Sequence, residues 1–497
     1  MAAAPTVTIP EGIDGIVRLA RLDGAPQNVL YGGLVTSKGR AYACTGANGL
    51  EIATAEPGKL AMEVFEGKGP SGKGCRQVAR ASDDTVLFTG QGEGGGAWVA
   101  ALDATAHQAA GALPITAQAQ VKDGVVEDLA ATATHVFAAA GKLGVIVYRR
   151  DKAALTEVTR FTSGVADALG LALAGNTLYL ANGRESVLRV DITEPAKPAL
   201  VEDIATYGTA RRLRVLGDRL YVATVNAGLE VHDLSKPKSP RLGSWATHAS
   251  AVDLDVQAVV SADGKTTQTL VWVANWEDVS VIDATDPGKL VLVGSETFPN
   301  ERGALEHVVN VQAGPVSPVP IAYVAEWSHV WSLAYVGGRT APDVRINRSR
   351  VDFGIVAAGK KRGTQLLVYN FGTAPLTLSK PTLDNTAFSV NEDAGKFPLT
   401  IPAPAKGTKG TPEFVEVAVS ATDLTPLKGT LTFTTNDPDE PTLALPLTAN
   451  LLDGVQVGGP FQLDPDLYYQ EYKTGNTTTV KQSFGGSVVL MSYFATW

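Results

Sequence analysis

Asn176-Thr-Leu-Tyr-Leu-Ala-Asn182 and Asp218-Arg-Leu-Tyr-Val-Ala-Thr224 are two copies of one pattern, 42 residues apart. Each reads as a short strand rich in β-branched and aromatic residues. Each is followed by a second strand that ends in aspartate, Val187-Leu-Arg-Val-Asp191 and Leu229-Glu-Val-His-Asp233. A Pro-x-x-Pro turn then follows, Pro195 with Pro198 and Pro237 with Pro240. A third copy has Leu270-Val-Trp-Val-Ala274, Val279-Ser-Val-Ile-Asp283 and Asp286-Pro287. Self-similarity at a fixed period signals a repeat architecture.

Looser copies extend the pattern both ways. Their anchor residues are Tyr42, Leu87, Phe137, Tyr179, Tyr221, Trp272 and Tyr323, spaced by 45, 50, 42, 42, 51 and 51 residues. Each unit has room for about four short alternating strands, the length of one propeller blade. A sandwich array or solenoid is the alternative reading. The alanine after the anchor (Ala181, Ala223, Ala274, Ala325) suits crowded packing between blades. The aspartate (Asp103, Asp191, Asp233, Asp283) opens a turn whose backbone N–H groups its carboxylate can accept. After Val336 no fourth strand of the last unit follows, and Gly15-Ile-Val-Arg-Leu-Ala-Arg-Leu22 has strand character without a unit of its own. The expectation is that residues 15–22 close blade seven of a seven-bladed propeller spanning residues 12–338.

The Leu-Tyr-Val-Ala, Gly-Leu-x-Val-x-Asp and Pro-x-x-Pro pattern resembles the LVIVD-repeat family of bacterial and archaeal proteins. The resemblance implies a surface or envelope propeller with no catalysis.

Composition shifts at Arg339-Thr-Ala-Pro-Asp343. Val351-Asp-Phe-Gly354, Gln365-Leu-Leu-Val-Tyr-Asn370, Gly372-Thr-Ala-Pro-Leu-Thr-Leu378 and Leu431-Thr-Phe-Thr-Thr-Asn-Asp-Pro438 follow. Alternating runs at this spacing predict a seven-stranded sandwich over residues 341–451. The segment resembles the immunoglobulin-like module of choice-of-anchor D and ASH-type proteins, which implies a spacer or protein-binding role. Asp352-Phe353-Gly354 lacks the partner motifs of a kinase.

From residue 455 to 497 the text changes again. Gly458-Gly-Pro-Phe-Gln-Leu463 and Gly485-Gly-Ser-Val-Val-Leu-Met-Ser-Tyr-Phe-Ala-Thr-Trp497 resemble the start of thioredoxin-like thiol–disulfide oxidoreductases and peroxiredoxins. The resemblance implies a redox nucleophile directly after Trp497, with Thr496 and Trp497 beside it. Such chemistry needs a thiolate or selenolate whose pKa a helix N-terminus lowers. Three accounts stay open: a truncated chain, a protein that ends here with the strand docked on a partner, or a UGA codon read as selenocysteine. The fold class expected is therefore all-β: a seven-bladed β-propeller, an immunoglobulin-like β-sandwich and a partial thioredoxin-like N-terminal segment.

Composition bounds the partners. Gly 51 and Pro 28 make about 16% of 497 residues, turn-rich but below the level of disordered chains. A net charge of −9 offers no basic face to a nucleic acid. No run of 18 uncharged apolar residues exists, so no transmembrane helix is expected. Residues 1–10 lack a basic n-region and an apolar h-region. Either the protein is cytoplasmic or the numbering starts after a removed signal or lipid anchor. The family resemblance favours an extracellular, periplasmic or surface-attached location.

Candidate sites are few. His107, His135, His232, His248, His307 and His329 show no metal-ligand spacing, so no metal is expected. Glu127, Asp128, Asp167, Arg211, Arg212 and His307 fall near the starts of first strands, which line one channel mouth. A mixed-charge funnel there could bind a ligand, or simply be solvated. Cys44 and Cys75 fall on adjacent blades, either as a disulfide or as two buried thiols. Cys75 is expected to open the first strand of blade two. The reading is a non-enzymatic binding or display scaffold with no cofactor, no catalytic residue, no assigned oligomeric order and an unnamed protein or surface ligand on its propeller. The alternative is an envelope thiol or selenol–disulfide oxidoreductase. A propeller hydrolase or dehydrogenase is weaker, because no acid–base or cofactor constellation converges.

Overall fold

The computed structural model describes residues 15–23, 31–46, 49–67, 74–81, 83, 85–91, 96–103, 115–151, 153–247, 249–260, 265, 267–298, 307–316, 319–337, 341–348, 350–390, 397–404, 411–438, 440–450, 468–470 and 477–479. Among these residues the fold is all-β, with no helix.

Strand signals in the repeat become antiparallel ladders. Seven four-stranded sheets form among the described residues, over 34–67, 77–121, 128–161, 170–205, 210–245, 253–297, and 308–335 joined by Ile16–Asp23. In three of them, over 34–67, 170–205 and 210–245, the first two strands are joined by a tight hairpin. Ala174 pairs with Thr177 and Leu216 with Arg219, leaving two-residue turns. Gly175 (φ +56°) and Gly217 (φ +58°) supply the left-handed conformation that such turns require.

The first strands are Leu34–Ser37, Gln77–Arg80, Asp128–Ala131, Gly170–Ala174, Ala210–Leu216, Asp253–Val260 and Val308–Ala313. Each touches the next in chain order, and the last touches the first. The sheets thus form a closed ring with these strands innermost, a β-propeller. Ile16–Asp23 pairs antiparallel with His329–Tyr335, Ile16 opposite Tyr335 and Asp23 opposite His329, as the outermost strand of its sheet.

Each gap between neighbouring sheets holds its own apolar cluster. Val35, Tyr42 and Ile52 of the first sheet pack with Val78, Phe88 and Trp98 of the second. Tyr221 and Leu229 pack with Leu254 and Val271 one gap further on. The second strands are buried on both faces (Leu178, Tyr179, Leu180 and Ala181 alike), so they read as continuous apolar runs rather than alternating ones. Ala181, Ala223, Ala274 and Ala325 are fully buried.

Residues 344–449 form a second body. One sheet runs Val344–Ile346, Lys360–Asn370, Glu413–Ala421, Phe388–Val390, and the other Val351–Asp352, Thr442–Ala449, Leu427–Thr434, Thr382–Leu383. Leu366, Val368, Val417, Leu431, Phe433 and Leu447 share one core between them. With the pair Leu376–Leu378 and Leu399–Ile401, ten strands are described here rather than the seven expected. The excess comes from fragments of two or three residues, which lie between turn-forming residues such as Gly372 and Pro381. The two bodies meet at Phe371, which joins the cluster of Trp245 and Leu292, and at Arg345, which donates to the carbonyl of Ser295 (3.1 Å).

Candidate functional site

The ring brings the starts of its innermost strands to one opening. A cavity of about 280 Å³ lies there, lined by charged side chains (Arg76, Glu127, Arg211, Arg212) and by Tyr31, Trp276 and Trp327. A second cavity of about 330 Å³ continues inward and takes residues from all seven first strands. Gln77, Arg212 and Asn310 line both.

The charges at the mouth are unequally satisfied. Arg76 binds Glu127 through both carboxylate oxygens, each at 3.0 Å. Arg212 donates to the carbonyls of Leu169 (2.6 Å), Arg211 (3.2 Å) and Glu127 (3.0 Å), so its charge meets peptide dipoles rather than a carboxylate. Arg211 is half-buried, and among the described residues its guanidinium has no hydrogen-bond acceptor and no ion pair within contact distance. Burial, then the neighbouring Arg212, pull its pKa down to about 10.

Deeper in, the balance reverses. Arg214 donates to Asp255 (3.0 Å). Burial opposes the charge of Arg214, but Asp255, Asp253 and Asp128 outweigh it and hold its pKa above the ordinary arginine range. Asp255 also accepts the backbone N–H of Ala313 (2.8 Å) and the Gln312 amide. Asp253 accepts the N–H of Val311 (3.1 Å) through one oxygen; its other oxygen, like the Asn310 side-chain oxygen, is buried without a partner. Burial pushes the Asp253 carboxyl up to about 6.

Aromatic rings flank the opening. His307 stacks on Trp276 (centroids 4.4 Å, 21°) and meets Trp327 edge-on (4.3 Å, 84°). Trp276 has φ +70°, a conformation that bulky residues rarely hold. Its carbonyl is pinned by the N–H of Val308 (2.8 Å). Tyr31 donates its hydroxyl to the buried Glu51, whose carboxyl burial pushes up to about 7.

Of the residues singled out from the sequence, Arg211 and Arg212 line the mouth with Glu127. Asp128 lines the inner cavity, with its carboxylate accepting the N–H groups of Leu129 and Leu171 (2.9 Å each) and so tying two sheets together. His307 sits against the two tryptophans. Asp167 lines neither cavity; it lies between sheets, beside Gly141 and Gly183. Cys44 and Cys75 are joined by a disulfide (Cα–Cα 4.9 Å). Cys75 does not open a strand: it forms an isolated bridge to Gly46, two residues ahead of Gln77–Arg80. Thr496 and Trp497 lie outside the described residues, as do His107 and His248.

Sequence reading missed Arg76, Trp276, Trp327 and Asp253. One signal was present: Val273-Ala-Asn-Trp276 and Val324-Ala-Glu-Trp327 place tryptophan at the same position of two repeats. It also missed the grouping of Asp343, Asp437 and Glu440, whose oxygens lie within 4.8 Å. Arg345 brings a cation there, 3.1 Å from Asp343 and 2.9 Å from Glu440.

Residues 166–206 and 207–246 match the LVIVD repeat model. No curated protein matches the chain. A solved structure similar to it is described as "Crystal structure of WD40 beta propeller domain of Doa1", with a TM-score of 0.48 and 12% identity over 65% of this chain and 98% of that one.

Proposed function

We propose that the chain is a non-enzymatic binding and display scaffold whose ligand-facing surface is the mouth of the propeller ring. The reading takes residues 12–338 as seven blades, residues 341–451 as an immunoglobulin-like spacer of choice-of-anchor D or ASH type, and residues 455–497 as a thioredoxin-like segment. One observation carries the binding role: the ring gathers charges from distant repeats at its mouth and, among the described residues, leaves the Arg211 guanidinium without a hydrogen-bond acceptor. Cavities with convergent polar groups are where binding concentrates.

A photo-crosslinking residue at Arg76, on the mouth, tests this in the protein's own cells against the same residue at Lys197, which is highly exposed. A discrete adduct from position 76, absent from 197, is the expected result. Equal labelling, or none from position 76, would refute the reading.

An extracellular, periplasmic or surface location is supported by the Cys44–Cys75 disulfide, since such bonds persist in oxidising compartments. Alkylation of protein taken directly from cells should add no mass without prior reduction. Two added alkyl groups before reduction would point to a reducing compartment instead. The second reading, an envelope thiol or selenol–disulfide oxidoreductase, is favoured by the resemblance of residues 458–497 alone. Sequencing the gene past codon 497 tests it: an in-frame UGA or cysteine codon followed by thioredoxin-like sequence supports it, and any other text removes it.

A further inference from the structure

We infer that the mouth cavity takes a monoanionic carboxylate carried on a flat, unsaturated body. This deepens the binding reading above and rests on it.

Charge comes first. Three arginines and one glutamate line the cavity, a local balance of +2 in a chain whose net charge is −9. Concave surfaces of one sign focus the field and concentrate counter-ions. Arg76 is engaged by Glu127, and Arg212 by three carbonyls. Arg211 is left as a half-buried cation with its donors unspent. Its fork faces the cavity instead of an acceptor of the protein, so an anion entering there meets uncommitted donors. Burial and the neighbouring Arg212 both press on its charge, which an anion would relieve.

Valence follows from the surroundings. Glu127 lines the mouth and Asp253 lies close enough to act on Arg211 from below. Each added negative charge on a ligand meets these two carboxylates as well as the arginines. A carboxylate's plane matches the guanidinium fork, whereas a dianion must shed a hydration shell whose strength grows as the square of its charge. A phosphate dianion is the less favourable occupant.

The body of the ligand is set by the other wall. Trp276 and Trp327 line the same cavity, 5.6 Å apart and nearly perpendicular. Trp276 is held at φ +70° by the Val308 bridge and the His307 stack. Strained conformations of this kind cluster at sites where side-chain placement matters. Indole rings make apolar contact with flat rings, and a volume of about 280 Å³ falls just below the usual range of ligand pockets, which suits one ring and its acid group.

The same chemistry is offered by a free aromatic acid or by the carboxyl terminus of a partner chain ending in an aromatic residue. Calorimetric titration of the full chain distinguishes them. The probes are benzoate, acetate, inorganic phosphate, and an acetylated tripeptide ending in phenylalanine as its free acid and as its amide. Benzoate or the free-acid peptide should bind at least tenfold more tightly than acetate and phosphate, and the amide should lose that advantage. The tighter of the two acids names the source. Arg211→Gln, which breaks no hydrogen bond among the described residues, should weaken the carboxylate at least tenfold with an unchanged melting temperature. Trp327→Leu should shrink the preference for benzoate over acetate. If phosphate binds as tightly, or Arg211→Gln binds as the wild type does, the inference fails. An adduct at position 76 would then still stand for binding at the mouth. No adduct at position 76 together with no binding of any probe would sink both readings.

Discussion

Tyr42, Leu87, Phe137, Tyr179, Tyr221, Trp272 and Tyr323 occupy one position of the repeat, and each is at most 3% exposed. The position was legible because both faces of its strand are buried, so aromatic bulk recurs there. Tyr221 joins sheets that neighbour each other in the ring, and Tyr221→Ala should cost about 3–5 kcal/mol in urea unfolding. A cost below about 1 kcal/mol would contradict that packing. Asp253 is a different case, since nothing local marks it as special. Its carboxyl sits at about 6 in the fold, above the unfolded value of about 4. The folded state therefore keeps a proton that the unfolded chain releases. Stability from this group is full below about pH 4 and is lost as pH rises through 6. Asp253→Asn keeps an oxygen for Val311 and cannot ionise. Its stability relative to wild type should rise by about 2 kcal/mol between pH 4 and 7.5, read from unfolding curves at both values. A constant difference would show that Asp253 titrates normally.

At the scale of elements, hairpins were the most readable feature. Gly175-Asn176 and Gly217-Asp218 announce two-residue turns through residues that tolerate positive φ. Bulges were not readable. Register shifts recur where the third strand meets the fourth, between Ala101 and Leu102, Val147 and Tyr148, Arg189 and Val190, Val231 and His232, and Val281 and Ile282. A bulge depends on the twist imposed by both partners, which no single strand encodes. The pairing of Ile16–Asp23 with His329–Tyr335 joins the two ends of the ring. Removing residues 1–23 should bare the edge of His329–Tyr335, lower the melting temperature and raise light scattering. A truncated chain that melts as the full chain does would mean the strand only decorates the edge. The disulfide acts on the same ring by closing a loop of 31 residues between the first two sheets. Its loss should cost about 3–4 kcal/mol on the chain-entropy account.

At the scale of the molecule, the sandwich core of Leu366, Val417, Phe433 and Leu447 is its own cluster, and among the described residues Phe371 and Arg345 reach from this body to the ring. Residues 341–451 expressed alone should melt cooperatively, and the full chain should show two calorimetric transitions. A single transition for the full chain, with the isolated segment unfolded, would make them one body. The all-β class, the repeat, the anchors and the turns were determined by the sequence alone, because alternation and turn chemistry act over a few neighbouring residues. The tertiary structure decided which charges meet. Arg76, Glu127, Arg211 and Arg212 are spread over 136 residues and share one cavity because the ring brings their strand starts to a common mouth. It also decided that, among the described residues, Arg211 is the one of the three arginines without an acceptor, since carbonyls of neighbouring sheets reach Arg212 and a carboxylate reaches Arg76. Electrostatic partnership follows distance in space, and a repeat that closes on itself sets those distances only when its last strand meets its first.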